Sequence, residues 1–301
     1  MNVKHLTELL LLAKNQPTQR MVIVNGVDKH SLEAAEHARK HGIVDVLVTG
    51  DKKRIETTCQ ELGIDIGNFE IIDASSEEEA ALKAVQLIQS GKADLVMKGL
   101  ISTDKYMRAI LNKQFALVEP GGLLTHVTLI DNKSYHKLLI VTDVAIIPFP
   151  NLQQKEVMIR YLVQVARKLG IDQPKVALIA PTEQVIESIP ACADAAKLKQ
   201  MGADGHFPGA FVDGPMALDV AIDQESATIK GMHSETAGDA DCLLFPNIDA
   251  GNVFYKTNTK LCQAEQAAVV VGAKVPVVLS SRGDSTQIKL NSIALAALMS
   301  H

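Results

Sequence analysis

A six-residue segment near the end of the chain, SSRGDS, combines residue types that bind a small anion. It lies between an apolar run and a helical pattern, so the N–H groups of a helix start would lie beside it. Gly283 permits a tight turn, and the planar guanidinium of Arg282 matches a phosphate group. The hydroxyls of Ser281 and Ser285 add donors. The pattern fits an ordinary helix cap equally well, with Asp284 or Ser285 capping and the arginine solvated.

A second candidate for anion binding follows the predicted strand 94–97. Lys98 and Gly99 end this strand, and with Thr103 they could bind phosphate oxygens. No GxxxxGK[ST] loop occurs in the chain, so this is not a P-loop. Because ligands of parallel sheets bind beyond the carboxyl ends of the strands, the position itself favours a site.

Two further segments lie where predicted strands meet predicted helices. Gly251 and Asn252 precede a helical pattern, and the glycine would let a ligand approach the main chain. The run Asp213-Gly214-Pro215, with Asp219 after it, brings two carboxylates to a similar junction. Each pattern taken alone favours a turn with a helix cap over a binding site.

Two polar pairs lie on predicted strands in the middle of the chain. Asp143 ends a strand, where its carboxylate could be a general base or a simple cap. His126, after Thr125, is the one histidine predicted to lie on a strand in a candidate site region. A lone histidine is more often structural, and no His, Asp or Glu set has the spacing of metal ligands.

The composition of the 301 residues sets limits on function. Hydrophobic residues make up 47% and charged residues 22%, which predicts a folded protein with a sizeable core in one large or about two domains. The net charge of −5, without a long basic run, argues against nucleic acid. The leucine-rich N-terminus is too short to span a membrane. The four cysteines are widely separated and predicted to be reduced, which favours the cytoplasm.

Hydrophobic periodicity predicts alternating strands and helices, and hence βαβ units with a parallel sheet. Ser76 and Glu79 predict a capping box. A hairpin and then two prolines suggest a boundary near residues 144–150. The predicted strands are 21–24, 44–48, 69–72, 94–97, 125–130, 138–141, 175–180, one ending at 212–215, 242–245, 268–271 and 275–279. The predicted helices are 31–41, 52–62, 76–88, 154–169, 192–201, 252–262 and 285–299, after an amphipathic helix within 1–14.

Read jointly, these segments resemble the phosphate acetyl/butyryltransferase family. The resemblance covers nearly the whole chain in order. The segments that carry it are 238–252 (GDADCLLFPNIDAGN) with Tyr255-Lys256, Val212-Asp213-Gly214-Pro215 with Leu218-Asp219 and Ala221, and Ser281-Arg282-Gly283. Those that are similar to the butyryl branch in particular are Met97-Lys98-Gly99, Thr125-His126, Thr142-Asp143 and Lys155.

The resemblance implies an α/β fold of two doubly wound domains flanking a cleft, as in isocitrate and isopropylmalate dehydrogenases. The first domain would be residues 1–146, completed by 277–301, and the second would be 147–276. It also implies a homodimer or higher homo-oligomer that uses small-molecule substrates, without nucleic acid or membrane partners.

The reaction implied by the resemblance moves a short acyl group, butyryl or a branched group of four or five carbons, between coenzyme A and inorganic phosphate. Acyl-CoA is a substrate, and no permanently bound cofactor or metal is implied. The alternatives are a metal- and NAD-dependent hydroxy-acid oxidoreductase of the same fold, or a non-catalytic acyl-CoA-binding relative. A thiol-release assay and the spectrum of added NAD would separate them.

The resemblance also implies residue roles. Arg282 would bind phosphate, and Ser281 would donate to the oxyanion or the thiol. In the acetyl branch the base is an aspartate seven residues after this serine, but here that position is Ile288. We therefore take Asp284, and then Asp143, as candidate bases. The other binding candidates are Lys98, Gly99, Thr103, Thr125, His126, Asp213, Gly214, Pro215, Gly251, Asn252 and Ser285.

Overall fold

The computed structural model describes residues 2–281 and 283–300, which form a mixed α/β fold. The chain divides into two compact units. The middle unit comprises residues 2–6 and Thr125–Gln266, and the terminal unit comprises Thr7–Leu124 and residues 267–300. The sequence analysis predicts two separate domains with a boundary between residues 146 and 147, and this boundary stays a prediction.

The elements of the described residues are as follows. The strands are β1 (Gln19–Val24), β2 (Val44–Gly50), β3 (Phe69–Asp73), β4 (Leu95–Lys98), β5 (Thr125–Asp131), β6 (Leu139–Thr142), β7 (Lys175–Ile179), β8 (Phe211–Met216), β9 (Cys242–Leu244), β10 (Glu265–Val271) and β11 (Val277–Val278). The helices are α1 (Leu6–Lys14), α2 (Lys29–Lys40), α3 (Lys52–Leu62), α4 (Glu77–Gln89), α5 (Thr103–Ile110), α6 (Leu152–Lys168), α7 (Pro190–Ala203), α8 (Leu218–Ile222), α9 (Gln224–Ile229), α10 (Ile248–Lys260) and α11 (Thr286–Met299), with a 3-10 turn at Ile66–Asn68.

The strands of the terminal unit are ordered β3-β2-β1-β4-β11-β10. The strands β3, β2, β1, β4 and β11 are parallel to one another. Strand β10 is antiparallel to β11. Helices α2, α3, α4 and α5 follow β1, β2, β3 and β4 along the chain. These pairings confirm the parallel βαβ units that the alternating pattern predicts.

The strands of the middle unit are ordered β5-β6-β9-β7-β8. The predicted hairpin is confirmed, because β5 and β6 pair antiparallel with Thr128 opposite Val141. The strands β6, β9, β7 and β8 are parallel to one another. Their carboxyl ends therefore share one edge, which is where ligands bind in parallel sheets.

Burial explains why two segments of the terminal unit are almost continuously apolar. Residues 21–24 of β1 are fully buried, as expected for a parallel strand covered on both faces. Helix α11 is buried from Lys289 to Met299 and packs against α2. The buried stretch contains the polar residues Asn291 and Ser292 but only one charged residue, Lys289, and a buried lysine is exceptional in a core.

Two details of the sequence prediction are wrong. Strand β8 continues to Met216, so Asp213 lies inside the strand instead of at its end. Helix α10 begins at Ile248 instead of residue 252, because the side chain of Asn247 accepts a hydrogen bond from the N–H of Ala250 at 3.0 Å. Gly251 is therefore within the first turn of a helix and does not precede it.

The capping box predicted at α4 is only half formed. The hydroxyl of Ser76 accepts from the N–H of Glu79 at 3.2 Å, as predicted. The carboxylate of Glu79 accepts from Ser75 instead, so the reciprocal bond is missing. The complete capping box lies at α6, between Asn151 and Gln154, where the sequence prediction did not anticipate it.

Within residues 2–281 and 283–300, no helix has the length and apolar character needed to cross a membrane.

Candidate functional site

Two predicted anion-binding segments meet at one edge of the terminal unit. Strand β11 is parallel to β4, with Val278 opposite Met97. Lys98 ends β4, and Ser281 follows β11 a few residues on. The topology therefore brings the carboxyl end of β4 and the SSRGDS turn to the same side of one sheet.

The main chain is tightly packed where β4 ends. A Cβ atom on Gly99 would lie 2.6 Å from the carbonyl oxygens of Val24 and Asn25, a distance that no side chain tolerates. The side chain of Asn25 donates to the carbonyl of Leu100 at 2.6 Å. Lys98 is buried, and its ammonium lies 3.4 Å from the carbonyl of Gly99. The end of β4 therefore carries the ammonium of Lys98, followed by a position, residue 99, where only glycine fits.

Helix α5 begins close to this strand end in the chain. The side chain of Ser102 caps it by accepting from the N–H of Lys105 at 3.2 Å. Thr103 is the first helical residue and is exposed. Its hydroxyl and the helix N-terminus are therefore available to an anion. The sequence has no signal for this eight-residue helix beyond Ser102 itself.

Tyr106, on the buried face of α5, connects this helix to both strands. Its hydroxyl donates to the carbonyls of Val96 on β4 and Val278 on β11, at 3.3 Å each. Burial raises the pKa of Tyr106 well above its ordinary value, so the hydroxyl stays protonated and can donate. Sequence reasoning missed this residue, since nothing local distinguishes it from a core aromatic.

The SSRGDS turn is closed by its own side chains. The carboxylate of Asp284 accepts from the N–H of Ser281 at 2.6 Å, and the N–H of Asp284 donates to the Ser281 carbonyl at 3.2 Å. Ser285 is the N-cap of α11 and accepts from the N–H of Ile288 at 3.3 Å. Of the two predicted caps, Ser285 is the one present. Arg282 lies outside the described residues.

Lys289 also reaches this turn, although the sequence interpretation did not include it. Its ammonium is buried and donates to the Ser280 hydroxyl at 3.0 Å and the Ser281 carbonyl at 3.3 Å. Burial lowers its pKa, while the charges of Asp28 and Asp284 oppose that shift. The one charged residue of a mostly apolar helix was the signal that could have found it.

Asp143 is the centre of the polar groups in the middle unit. Its buried carboxylate accepts from the Thr125 hydroxyl at 2.8 Å and the N–H of His126 at 3.1 Å through Oδ2. Oδ1 accepts from the N–H groups of Ala145 and Ile146 at 2.6 and 2.7 Å. These four hydrogen bonds join the loop after β6 to strand β5 through one carboxylate.

The other predicted strand residues support this carboxylate. Thr125 is fully buried, and its hydroxyl lies 2.7 Å from that of Thr142. Thr142 in turn donates to the carbonyl of His126 at 3.1 Å. The His126 ring is buried, with Nδ1 3.2 Å from the hydroxyl of Thr128. These contacts make Thr125 and His126 part of the frame around Asp143.

The start of α10 packs directly on the same loop. A Cβ atom on Gly251 would lie 2.1 Å from the carbonyl oxygen of Asp143, so only glycine permits this contact. The side chain of Asn252 donates to the carbonyl of Val144 at 2.9 Å. The structure therefore brings together Asp143, Gly251 and Asn252, which are more than a hundred residues apart in the chain.

The segment Asp213-Gly214-Pro215 is not part of this group. Strand β8 is three positions from β6 in the sheet, or about 14 Å at the usual strand spacing. The Oδ1 atom of Asp213 lies 2.6 Å from the Lys199 ammonium and also accepts from Gly214 N–H. Its Oδ2 atom is buried without a hydrogen-bond partner among the described residues. Asp219, nearby in sequence, is half-exposed and paired with Lys230.

Lys155, noted for its resemblance to the butyryl branch, is buried in the middle unit. Its ammonium contacts the Asp194 carboxylate at 2.7 Å. Both side chains line a small cavity with apolar residues at the ends of β7 and β9, including Ile179 and Leu244. Over the described ranges, no group of three or more His, Cys, Asp and Glu side chains is arranged to hold a metal ion.

Comparison with known proteins gives consistent matches along the whole chain. A family model described as phosphate acetyl/butaryl transferase matches residues 5–81 and 77–297. A phosphate butyryltransferase of Clostridium acetobutylicum is 40% identical over 297 residues, covering 99% of this chain and 98% of that protein. A phosphate acetyltransferase of Rhizobium meliloti is 35% identical, covering 96% and 92%.

The solved structures agree with these matches. A branched-chain phosphotransacylase from Enterococcus faecalis V583 superposes with a TM-score of 0.84 at 29% identity. The superposition covers 94% of this chain and 99% of that one.

Proposed function

The chain belongs to the phosphate acetyl/butaryl transferase family, and from that premise we propose that it transfers a butyryl or branched short acyl group between coenzyme A and inorganic phosphate. Its relatives are named phosphate butyryltransferase and phosphate acetyltransferase. They support an acyltransferase and not the oxidoreductase alternative. The match at 40% identity over nearly the full length is the observation that carries this conclusion.

The chemistry requires activation of a thiol and stabilisation of two anions. In the direction from acyl phosphate, a base takes the proton of the coenzyme A thiol, which is poorly ionised at neutral pH. The sulfur then forms a bond to the acyl carbon, and the bond from that carbon to the phosphate oxygen breaks. Inorganic phosphate leaves. Holding both substrates in a ternary complex lowers the barrier by roughly 7–11 kcal/mol.

The terminal unit supplies the groups that we propose to handle phosphate and the oxyanion. Ser281 is exposed at the turn after β11, so its hydroxyl can donate to the developing oxyanion or to the thiol. Lys98 and the start of α5 at Thr103 supply positive charge and N–H donors. For Arg282, the phosphate-binding role rests on the resemblance and on the fork geometry of its guanidinium.

We propose Asp284 as the base that replaces the aspartate missing at Ile288. Its carboxylate is only partly buried and lies next to Ser281. Asp143 has four hydrogen-bond donors on its carboxylate, and these contacts occupy both of its oxygens. We therefore propose that Asp143, with Thr125 and His126, positions the loop after β6, and that Gly251 and Asn252 hold α10 on that loop.

The finer properties are proposals that rest on the family. We propose a cytoplasmic homodimer with the isocitrate dehydrogenase-like form of the fold and no permanently bound cofactor, using acyl-CoA only as a substrate. The cysteines are free, which is usual in reducing compartments. Light scattering of the purified protein tests the oligomeric state.

A thiol-release assay tests the function. Purified protein is mixed with acyl-CoA and phosphate, and the free thiol is followed with a thiol reagent over acyl chains from about two to six carbons. One methylene changes the discrimination by only about 1–3 kcal/mol, so we expect a graded preference centred on butyryl and branched groups. Release that peaks at acetyl would contradict the acyl preference but not the reaction. A spectral change with NAD and a hydroxy acid would favour the oxidoreductase instead.

A further inference from the structure

A buried ammonium contacts the same serine turn as the carboxylate of Asp284. Lys289 is 3% exposed, and its Nζ atom contacts the Ser280 hydroxyl and the Ser281 carbonyl. The Asp284 carboxylate contacts the N–H of Ser281. Ser281 therefore has one main-chain group bound by a negative side chain and the other by a positive one.

Burial of the Lys289 ammonium costs free energy, which its contacts with the turn must offset. Taking an ammonium out of water is unfavourable, and a hydrophobic residue at the same place in α11 would pack without that cost. The neighbours of Lys289 in sequence, Ile288 and Leu290, show that the helix can carry apolar residues there. The two nearest contacts of the ammonium both belong to the turn that contains Ser281.

We propose that Lys289 is a positioning residue for Ser281 in acyl transfer, an inference that rests on the proposed function. By binding the Ser280 hydroxyl and the Ser281 carbonyl, its ammonium fixes where the turn places the Ser281 hydroxyl. A misplacement of about 1 Å by a remote mutation can reduce a rate about 100-fold. The effect belongs to kcat, because the position of the serine matters most in the transition state.

The charged groups around Lys289 determine the pH at which this contact is lost. Those that act on it are Asp284 in the turn and Asp28 at the start of α2, while His30 and Glu33 of α2 contact Thr286 at the start of α11. Since burial lowers the pKa of Lys289, its charge is lost at a lower pH than the charge of an exposed lysine as pH rises. We expect kcat to fall on the alkaline side for this reason.

The test compares Lys289→Met and Lys289→Arg with a matched control, Lys137→Met. Lys137 is a half-buried lysine of the middle unit that pairs with Asp239 and Asp241. Its loss affects stability without touching the serine turn. Thiol release from butyryl-CoA is measured with phosphate across pH, and thermal unfolding gives the folded fraction of each variant.

We expect kcat of Lys289→Met to fall on the order of 10–100-fold at pH 7, with KM nearly unchanged and without the alkaline decline. Lys289→Arg should recover part of kcat and shift the decline to higher pH, because guanidinium stays charged. Lys137→Met should keep the wild-type kcat per folded molecule. Wild-type kcat and pH profile in Lys289→Met would overturn the inference while leaving the function intact. A wild-type protein without phosphate-dependent release would overturn both.

Discussion

The carboxylate of Asp284 accepts a hydrogen bond from the main-chain N–H of Ser281, with 2.6 Å between Oδ2 and N. This contact places a carboxylate beside the serine proposed to handle the acyl group. It also gives the carboxylate a structural role in the turn. A substitution that separates the two roles can therefore test the base assignment.

Asp284→Asn keeps an oxygen that can accept from the Ser281 N–H but cannot take a proton from a thiol. We expect kcat to fall by about 100-fold or more, the usual contribution of a general base. Steady-state rates from pH 5 to pH 9 check this. Asp65→Asn is the control, because Asp65 also accepts a main-chain N–H, that of Gly67 at 3.0 Å, within a turn of the same unit. Full activity of Asp284→Asn at every pH would mean that the base lies elsewhere.

Asp143→Ala should destabilise the protein more than it alters the chemistry of the folded fraction. The substitution leaves the N–H groups of His126, Ala145 and Ile146 without their acceptor. With a cost of about 1–3 kcal/mol for each unsatisfied group, we expect a loss of at least ~3 kcal/mol in the free energy of unfolding. Urea denaturation measures it. Unchanged stability together with lost activity would instead support Asp143 as the base.

Arg282→Lys should raise the KM for phosphate by about tenfold and change the KM for acyl-CoA little. An ammonium is a point charge and cannot form the paired hydrogen bonds of a guanidinium. Losing one such charge-assisted bond costs about 1.5 kcal/mol at the lower end of the usual range, which corresponds to a change of about tenfold. Initial rates at varied phosphate concentration check this, with Arg20→Lys, which alters an exposed ion pair with Asp94, as the control. If Arg282→Lys and the wild type had equal KM values for phosphate, Arg282 would not be a phosphate-binding residue.

The stability of the middle unit should depend on pH through Asp239. Burial alone would raise the pKa of Asp239, but its contacts with Lys175, Lys137 and His136 lower it well below the usual value. A lowered pKa contributes stability above the unfolded-state pKa of about 4, and this stability is lost as the pH falls further.

Asp239→Asn should accordingly lower Tm at pH 7 by about 2–4 °C, allowing for the partial exposure of the carboxylate. The difference from wild type should shrink toward pH 3. Thermal unfolding at both pH values checks it, with Asp204→Asn as an aspartate of the same unit outside this network. A difference in Tm that is constant with pH would contradict the role of the charge.

Sequence patterns predict the strands and helix caps that depend on residues close together in the chain. The apolar run at residues 21–24 predicts a buried parallel strand, and Ser285 caps α11 as one of the two predicted caps. The carboxyl ends of β4 and β11 were expected to carry the anion-binding groups. Parallel pairing of these strands brings Lys98 and Ser281 to one edge, as such topology requires.

The contacts that pattern reading missed arise from tertiary structure. The four donors on Asp143 come from two strands and a loop, and the place of Gly251 against its carbonyl depends on α10 beginning earlier than predicted. Lys289 is the one charged residue of a mostly apolar helix, and its sequence neighbours do not show that it contacts the serine turn. Tyr106 has the sequence context of a core residue, and only the folded chain shows its hydroxyl between two carbonyls.

The most direct test of acyl transfer to phosphate is the initial rate of thiol release from butyryl-CoA, measured with and without inorganic phosphate. Formation of butyryl phosphate is followed in the same samples by ³¹P NMR. We predict release that saturates with phosphate, with one butyryl phosphate formed for each thiol. Release that is independent of phosphate, or no release from butyryl, branched or acetyl thioesters, would contradict the proposed function.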